Sequence, residues 1–123
     1  MALDQLYQQI ILDHNRSPAN FGCLPRPTHA SRGIDGLCGD NVVIELVISG
    51  EIVHRAMFSG EACAVTKASA SLLMLWVPGK DRTEIRRANA RFRRLLEQPG
   101  LADDRTLGDI NALRAVAGFP SRV

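Results

Sequence analysis

Two short stretches of the sequence carry residue types that could do chemistry. Cys38-Gly39-Asp40 places a thiol and a carboxylate two residues apart, and the glycine between them allows the backbone to turn sharply. Cys63 comes directly before a predicted helix, where the helix dipole and unpaired backbone N–H groups favour a thiolate. Thiolates and a carboxylate that converge suit zinc or iron. Cys38, Asp40 and Cys63 are therefore the candidate metal ligands.

The ligand set is incomplete, and an alternative interpretation is open. A structural tetrahedral site needs four ligands, and the two stretches supply only three. The opposing interpretation is that Cys38 and Cys63 are small buried hydrophobes, which is the usual role of a free cysteine. Cys23 has no partner pattern and is predicted to be inert. A fourth ligand could come from water, from a partner protein or from one of His14, His29 and His54.

A hairpin is predicted between the two candidate stretches. Two runs rich in β-branched and apolar residues, 42–48 and 52–58, are joined by a short connection around Gly50. In an antiparallel hairpin centred there and free of bulges, Asp40 lies opposite Gly60. The two stretches with chemistry-bearing residues would then meet at one end of the hairpin.

Helices are predicted on both sides of the hairpin. Apolar residues recur at helical spacing over residues 3–13, and small and apolar side chains predict a buried helix over 64–76. A capping box at residues 81–84 opens an arginine-rich helix, and a short helix follows around 109–117. Residues 23–37, through which prolines and glycines are spaced, are predicted to be a loop.

Length and composition limit the class of protein. The chain has 123 residues, of which 46% are hydrophobic and 23% charged, and these proportions predict a single globular domain over residues 1–123. No apolar run is long enough to span a membrane, and the N-terminus lacks the pattern of a signal peptide. The three cysteines are an odd number, which argues against a disulfide framework and predicts reduced thiols in a cytoplasm.

The positive charge is concentrated in one segment. The whole chain has a net charge of +2, whereas residues 80–94 hold Lys80 and six arginines against two acidic side chains. Such a helix face can attract an acidic protein or a nucleic acid, and a plain solvated face is the alternative. Nucleic acid is disfavoured because base stacking needs exposed aromatic side chains, and Phe92 is predicted to face the core.

Specific short motifs follow one another along essentially the whole chain. They are LYQQIILDH at 6–14, PANFG at 18–22, CGD at 38–40, GEACAV at 60–65, ASAS at 68–71, VPGK at 77–80, LGD at 107–109 and FPSRV at 119–123. This set resembles the U-type iron–sulfur cluster assembly scaffold family, which comprises the NifU N-terminal domain, IscU and SufU. The segment with Leu-Gly-Asp is most similar to the zinc-binding SufU branch.

The resemblance implies a fold and a function. The implied fold is an α+β sandwich with a small, mostly antiparallel three-stranded sheet and helices packed on one face. Cys38, Asp40 and Cys63 would hold zinc, as in SufU, or a nascent [2Fe–2S] cluster, as in IscU. A pyridoxal-phosphate-dependent cysteine desulfurase would supply persulfide sulfur to Cys38, and other cluster-assembly proteins would be further partners. The chain would be at most the sulfur-accepting partner of that enzyme.

The chain departs from the family pattern in two places. Ala62 stands where the family has glycine before its second cysteine, so the backbone there must accommodate a Cβ atom. The family's third cysteine and a final helix follow the FPxRV segment, beyond Val123. These departures predict weak or absent metal binding and uncovered apolar helix surface, with self-association as one hypothesis. The alternative function is a degenerate paralogue that keeps the fold and partner surface without metal or transfer activity.

Overall fold

An antiparallel sheet of three strands in the order β1-β2-β3 is covered by helices. In the computed structural model, which describes residues 3–37 and 39–116, the α+β architecture predicted above is confirmed. No helix of that described part is long and apolar enough to cross a membrane. In chain order the elements are α1 (Leu3–Arg16), β1 (His29–Asp35), β2 (Asp40–Ser49), β3 (Ile52–Glu61), α2 (Ala64–Trp76), α3 (Arg82–Glu97) and a 3₁₀ helix (Arg105–Val116).

The third strand that the resemblance implies is β1, and the loop predicted from the residue pattern over 23–37 is wrong in its second half. His29–Asp35 pair antiparallel with β2, and Asp35 lies opposite Asp40. The strand is exposed along almost its whole length, so its sequence carries no alternation of apolar and polar residues. It is an edge strand that forms through hydrogen bonds to β2 and not through burial.

The β2–β3 hairpin has a register that differs from the predicted one. The strands are joined by a two-residue turn at 50–51, where both residues have positive φ. A β-bulge next to Val47 then shifts the pairing by one residue. Gly60 consequently lies opposite Val42, and the prediction that it lies opposite Asp40 is wrong. Both strands extend further than predicted, so the end of β3 still runs alongside the start of β2.

Helix α2 lies between the sheet and the other helices. On one side, Ala70 and Met74 pack against buried side chains of the sheet, among them Val53 and Phe58. On the other side, Leu72 packs in a second cluster with α1, α3 and the 3₁₀ helix. Burial of each large apolar side chain stabilises this arrangement by about 1.5–3 kcal/mol. The start of α2 is thereby held at the end of the sheet.

The last two helices differ from their predictions only in detail. The capping box that opens α3 is confirmed, with Asp81 and Glu84 each accepting a hydrogen bond from the other's backbone N–H. The short helix predicted at 109–117 is a 3₁₀ helix that begins earlier, at Arg105, and is kinked at Gly108. Residue 117 lies outside the described residues.

An apolar groove with a volume of about 390 Å³ runs between α2, α3 and the 3₁₀ helix. Trp76 contributes to its wall, and the indole N–H donates to the backbone oxygen of Thr106 at 2.8 Å. Arg86 of α3 lines the same groove. The groove therefore combines apolar side chains with a basic side chain of α3.

The backbone at Gly60 leaves no room for a side chain beside β2. Its φ is +112°, and a Cβ atom there would lie 2.0 Å from the backbone oxygen of Asn41. Gly60→Ala is therefore expected to lower the free energy of unfolding by about 2 kcal/mol or more, measured by urea denaturation. Gly36→Ala is the matched control, because nothing lies within 4 Å of its Cβ position. Equal free energies of unfolding for the two variants would contradict the close contact between Gly60 and the backbone of Asn41.

Candidate functional site

The start of β2 and the start of α2 meet at one end of the sheet. Asp40, the first residue of β2, is only 6% exposed. Its Oδ1 accepts the backbone N–H of Cys63 at 2.8 Å, and its Oδ2 accepts the Thr66 hydroxyl at 2.6 Å. The Cys63 Sγ lies 3.9 Å from Oδ2 and 3.3 Å from the Thr66 Oγ1. These three residues form the Asp40 cluster.

Local backbone features place the members of the Asp40 cluster. Gly39 has a φ of 69°, which glycine adopts without a steric penalty, and it leads the chain into β2. Cys63 is the N-cap of α2, with extended backbone, and its carbonyl accepts the N–H of Lys67. Thr66 follows at the third helical position. In a capping box the side chain at that position would bind the N-cap N–H, a task that Asp40 performs here.

The environment of Cys63 favours its thiolate. Burial and the nearby Asp40 carboxylate raise the pKa of the thiol, but hydrogen bonding outweighs them. The backbone N–H groups of Thr66 and Val65 at the start of α2 lower the pKa, and the Thr66 hydroxyl adds to this effect when its single proton turns from Asp40 toward the sulfur. The net effect is a pKa below the usual 9.0. Hydrogen bonds at the start of α2 thus favour the Cys63 thiolate, in the direction predicted from its place before a helix.

The donors of the Asp40 cluster fit a metal ion. Tetrahedral zinc has bonds of about 2.3 Å to thiolate sulfur and about 2.1 Å to carboxylate oxygen, so two such ligands lie about 3.5 Å apart. The Cys63 Sγ and the Asp40 Oδ2 are 3.9 Å apart, and a small adjustment of either side chain would bring both into range. Two of the three predicted ligands are thus brought together.

The third predicted ligand, Cys38, lies outside the described residues, and its role stays a prediction. Among the residues that the structure does describe, no three His, Cys, Asp or Glu side chains gather as a metal site. Cys23 is exposed, and its Sγ lies 3.9 Å from the Ser59 hydroxyl. Nothing in these contacts tests the prediction that Cys23 is inert.

The three histidines considered as a fourth ligand lie away from the Asp40 cluster. His14 is bound to the second half of α2, with its Nδ1 2.6 Å from the Ser71 hydroxyl. His29 opens β1 and pairs with β2 about six residues from Asp40, a separation of about 20 Å along the strand. His54 lies beside the bulge, near the far end of the hairpin.

The Asp40 cluster opens into a groove between the sheet and α2. The groove has a volume of about 520 Å³, and both Asp40 and Thr66 belong to its wall. Residues of β1 form its opposite side, among them Ser31 and Asp35. A partner group can therefore reach the cluster from the side of the edge strand.

Thr66 is the member of the cluster that the sequence interpretation missed. A hydroxyl in the first turn of a helix is ordinarily explained as a capping or solvent-exposed group. The signal that could have identified it is its spacing, because a residue three positions after a helix N-cap faces back toward that N-cap. Lys67, one position further, instead places its ammonium group 5.8 Å from the centre of the Phe21 ring.

Comparison with known proteins shows the family to which the chain is similar. Residues 6–123 match the family model of the NifU-like N terminal domain. The zinc-dependent sulfurtransferase SufU of Bacillus subtilis (strain 168) is 35% identical over 121 residues, which cover 98% of this chain and 82% of the relative. The iron–sulfur cluster assembly scaffold protein IscU of Streptococcus pyogenes serotype M1 is 26% identical over 121 residues, with coverage of 98% and 76%.

A solved structure shares the fold. The N-terminal part of a nitrogen-fixing NifU-like protein from Brucella abortus superposes with a TM-score of 0.83 at 26% identity, covering 98% of this chain and 83% of that one. The sheet order and the helices are thus those of a NifU-like N-terminal domain. The chain belongs to the NifU-like N-terminal domain family.

The lowered pKa of Cys63 gives a direct test of the site. In metal-free protein carrying Cys23→Ser and Cys38→Ser, the Cys63 thiolate is expected to form at lower pH than in the same protein unfolded in urea. A lowered pKa means that the proton leaves more readily in the folded state, so the midpoint moves down on folding. Thiolate absorbance near 240 nm, recorded against pH, measures both midpoints. A folded midpoint at or above the unfolded one would contradict the described environment.

Proposed function

We propose that this chain is an iron–sulfur cluster assembly protein that acts as a scaffold or as an acceptor of persulfide sulfur. The observation that carries the proposal is the convergence of Cys63 and a buried Asp40 at one end of the sheet, in a chain of the NifU-like family. Capping of α2 accounts for the buried carboxylate, but capping does not require a thiol beside it.

The metal ligands of the proposed site are Cys38, Asp40 and Cys63. Three protein ligands with an open fourth position are typical of zinc sites that react and not of closed structural sites. Zinc bound there would keep the thiols deprotonated at neutral pH, and iron and sulfide would be the cargo of a scaffold. The SufU relative is named as zinc-dependent, which favours zinc over the cluster for this chain.

Sulfur transfer at this site follows thiol–disulfide chemistry. The thiolate of Cys38 attacks the outer sulfur of a donor persulfide, and a new S–S bond forms on Cys38 while the S–S bond of the donor breaks. The electron pair of the broken bond leaves with the donor sulfur as a thiolate, so no external oxidant or reductant is needed. Asp40 and Thr66 make the wall of the groove polar beside Cys63. Such chemistry needs reduced thiols, which places it in a reducing compartment such as the cytoplasm.

A cysteine desulfurase is the proposed donor, and the basic face of α3 is the proposed docking surface. Ala88 and Leu95 of α3 are buried, whereas Arg87 and Arg94 are exposed and lie seven residues apart on one side of the helix. Arg91, between them, also approaches Asp104 at 3.8 Å. An exposed basic surface of this kind accelerates encounter with an acidic partner.

Metal content tests the proposed ligands. Protein incubated with excess zinc is expected to bind about one ion per chain, weakly because only three protein ligands are proposed, and a zinc competition assay is expected to show affinity weaker still by about tenfold or more in Cys38→Ala, Asp40→Ala and Cys63→Ala, because each removes one ligand. Cys23→Ala is the matched control and should bind as the wild type does. Metal-free wild-type protein with an intact circular dichroism spectrum would instead support the degenerate paralogue.

Charge reversal tests the docking surface. Arg87→Glu combined with Arg94→Glu is expected to slow association with a purified cysteine desulfurase by about tenfold at low ionic strength, and less at high salt. Biolayer interferometry measures the rates. Arg26→Glu with Arg55→Glu changes the net charge equally at exposed positions outside α3 and serves as the control. Equal rates for the two double variants would remove the basic face of α3 from the proposal.

A further inference from the structure

We propose that Thr66 is a positioning residue that holds the Asp40 carboxylate in its ligand orientation beside Cys63. This inference rests on the proposed function, because it concerns how the metal site is prepared. Thr66 does not belong to the ligand set inferred from the sequence. It lies 26 residues from Asp40 along the chain, yet their side chains are joined by a hydrogen bond of 2.6 Å.

The hydrogen bond from Thr66 is short and directed at a charged acceptor. Hydrogen bonds from hydroxyl groups to carboxylates are shorter and about twice as strong as neutral ones. The acceptor is Oδ2, the same oxygen that lies nearest to the Cys63 sulfur. A carboxylate has about four acceptor positions, so this hydrogen bond is compatible with ligation of a metal by Asp40.

The position of Thr66 in a packed helix restrains its side chain more than an exposed loop position would. Thr66 is at the third position of α2, and the next residues of that helix include the fully buried Ala68 and Ser71. The branched Cβ of threonine restricts its χ1 angle in a helix. The hydroxyl is thus presented to Asp40 by a packed helix.

Two hydrogen bonds from the start of α2 restrain the carboxylate plane of Asp40. Oδ1 is held by the Cys63 N–H and Oδ2 by the Thr66 hydroxyl, and both donors belong to the start of α2. Loss of the second donor would allow the carboxylate to rotate about the bond that joins it to Cβ, and the first hydrogen bond would loosen with it. Hydrogen bonds to ligating carboxylates typically contribute a factor of about 10–100 in metal affinity.

The test compares three substitutions of equal size or smaller. Thr66→Val keeps the branched shape and removes the hydroxyl, Thr66→Ser keeps the hydroxyl, and Thr83→Val is the matched control at an exposed position of α3. Zinc affinity is measured by competition with a chromogenic chelator. We expect Thr66→Val to bind zinc about tenfold more weakly than wild type, and Thr66→Ser and Thr83→Val to bind within about twofold.

A second measurement needs no metal. The Cys63 amide donates to Asp40, so its hydrogen exchange in metal-free protein reports whether the carboxylate is held. Exchange at this amide is expected to be about tenfold faster in Thr66→Val and unchanged in Thr66→Ser. If the wild type binds no zinc but the exchange result holds, the metal site fails while the positioning role stands. If Thr66→Val shows the same Cys63 amide exchange rate and the same zinc affinity as the wild type, the positioning role of Thr66 is overturned.

Discussion

The buried carboxylate of Asp40 is the constraint on which the rest of the site depends. Removing a charged group from water is costly unless hydrogen bonds replace the lost solvation, and α2 supplies both a backbone N–H and a hydroxyl for this purpose. The strand start and the helix start therefore cannot move independently. Cys63, as the N-cap of that helix, is fixed by the same contacts that satisfy Asp40. Chemistry and folding share one set of hydrogen bonds here.

The arrangement explains why a small domain can present reactive groups without losing stability. Packing on two sides of α2 stabilises the helix over its middle and C-terminal turns, where Ala68, Ser71 and Leu72 are buried. Its first turn carries the polar cluster and faces a groove. Stability and reactivity are thus separated along one helix. Ligands can therefore bind and leave at the first turn of α2 while its later turns stay packed. Transfer of sulfur or metal requires such binding and release.

Much of this organisation could be predicted from the sequence, and the errors have physical causes. The helices, the hairpin and the convergence of two candidate ligands follow from periodicity and motif spacing. The register error at Gly60 is two residues: one comes from a turn centred between residues 50 and 51, and the other from a bulge, which depends on local packing and leaves no composition signal. The residue pattern missed β1 because an exposed edge strand lacks apolar alternation. Thr66 was missed because its partner is distant in sequence and its residue type is common in the first turn of helices.

The bulge beside Val47 has a further consequence for how the hairpin can vary. Between the bulge and Asp40, successive side chains of β2 alternate between the two faces of the sheet. Gain or loss of a single residue in that stem would turn Asp40 to the opposite face, away from α2. Length changes at the 50–51 turn leave the stem alternation intact. Insertions and deletions of any length at the hairpin tip are therefore compatible with the site. In the stem, only the gain or loss of an even number of residues keeps Asp40 on the face of the sheet that meets α2.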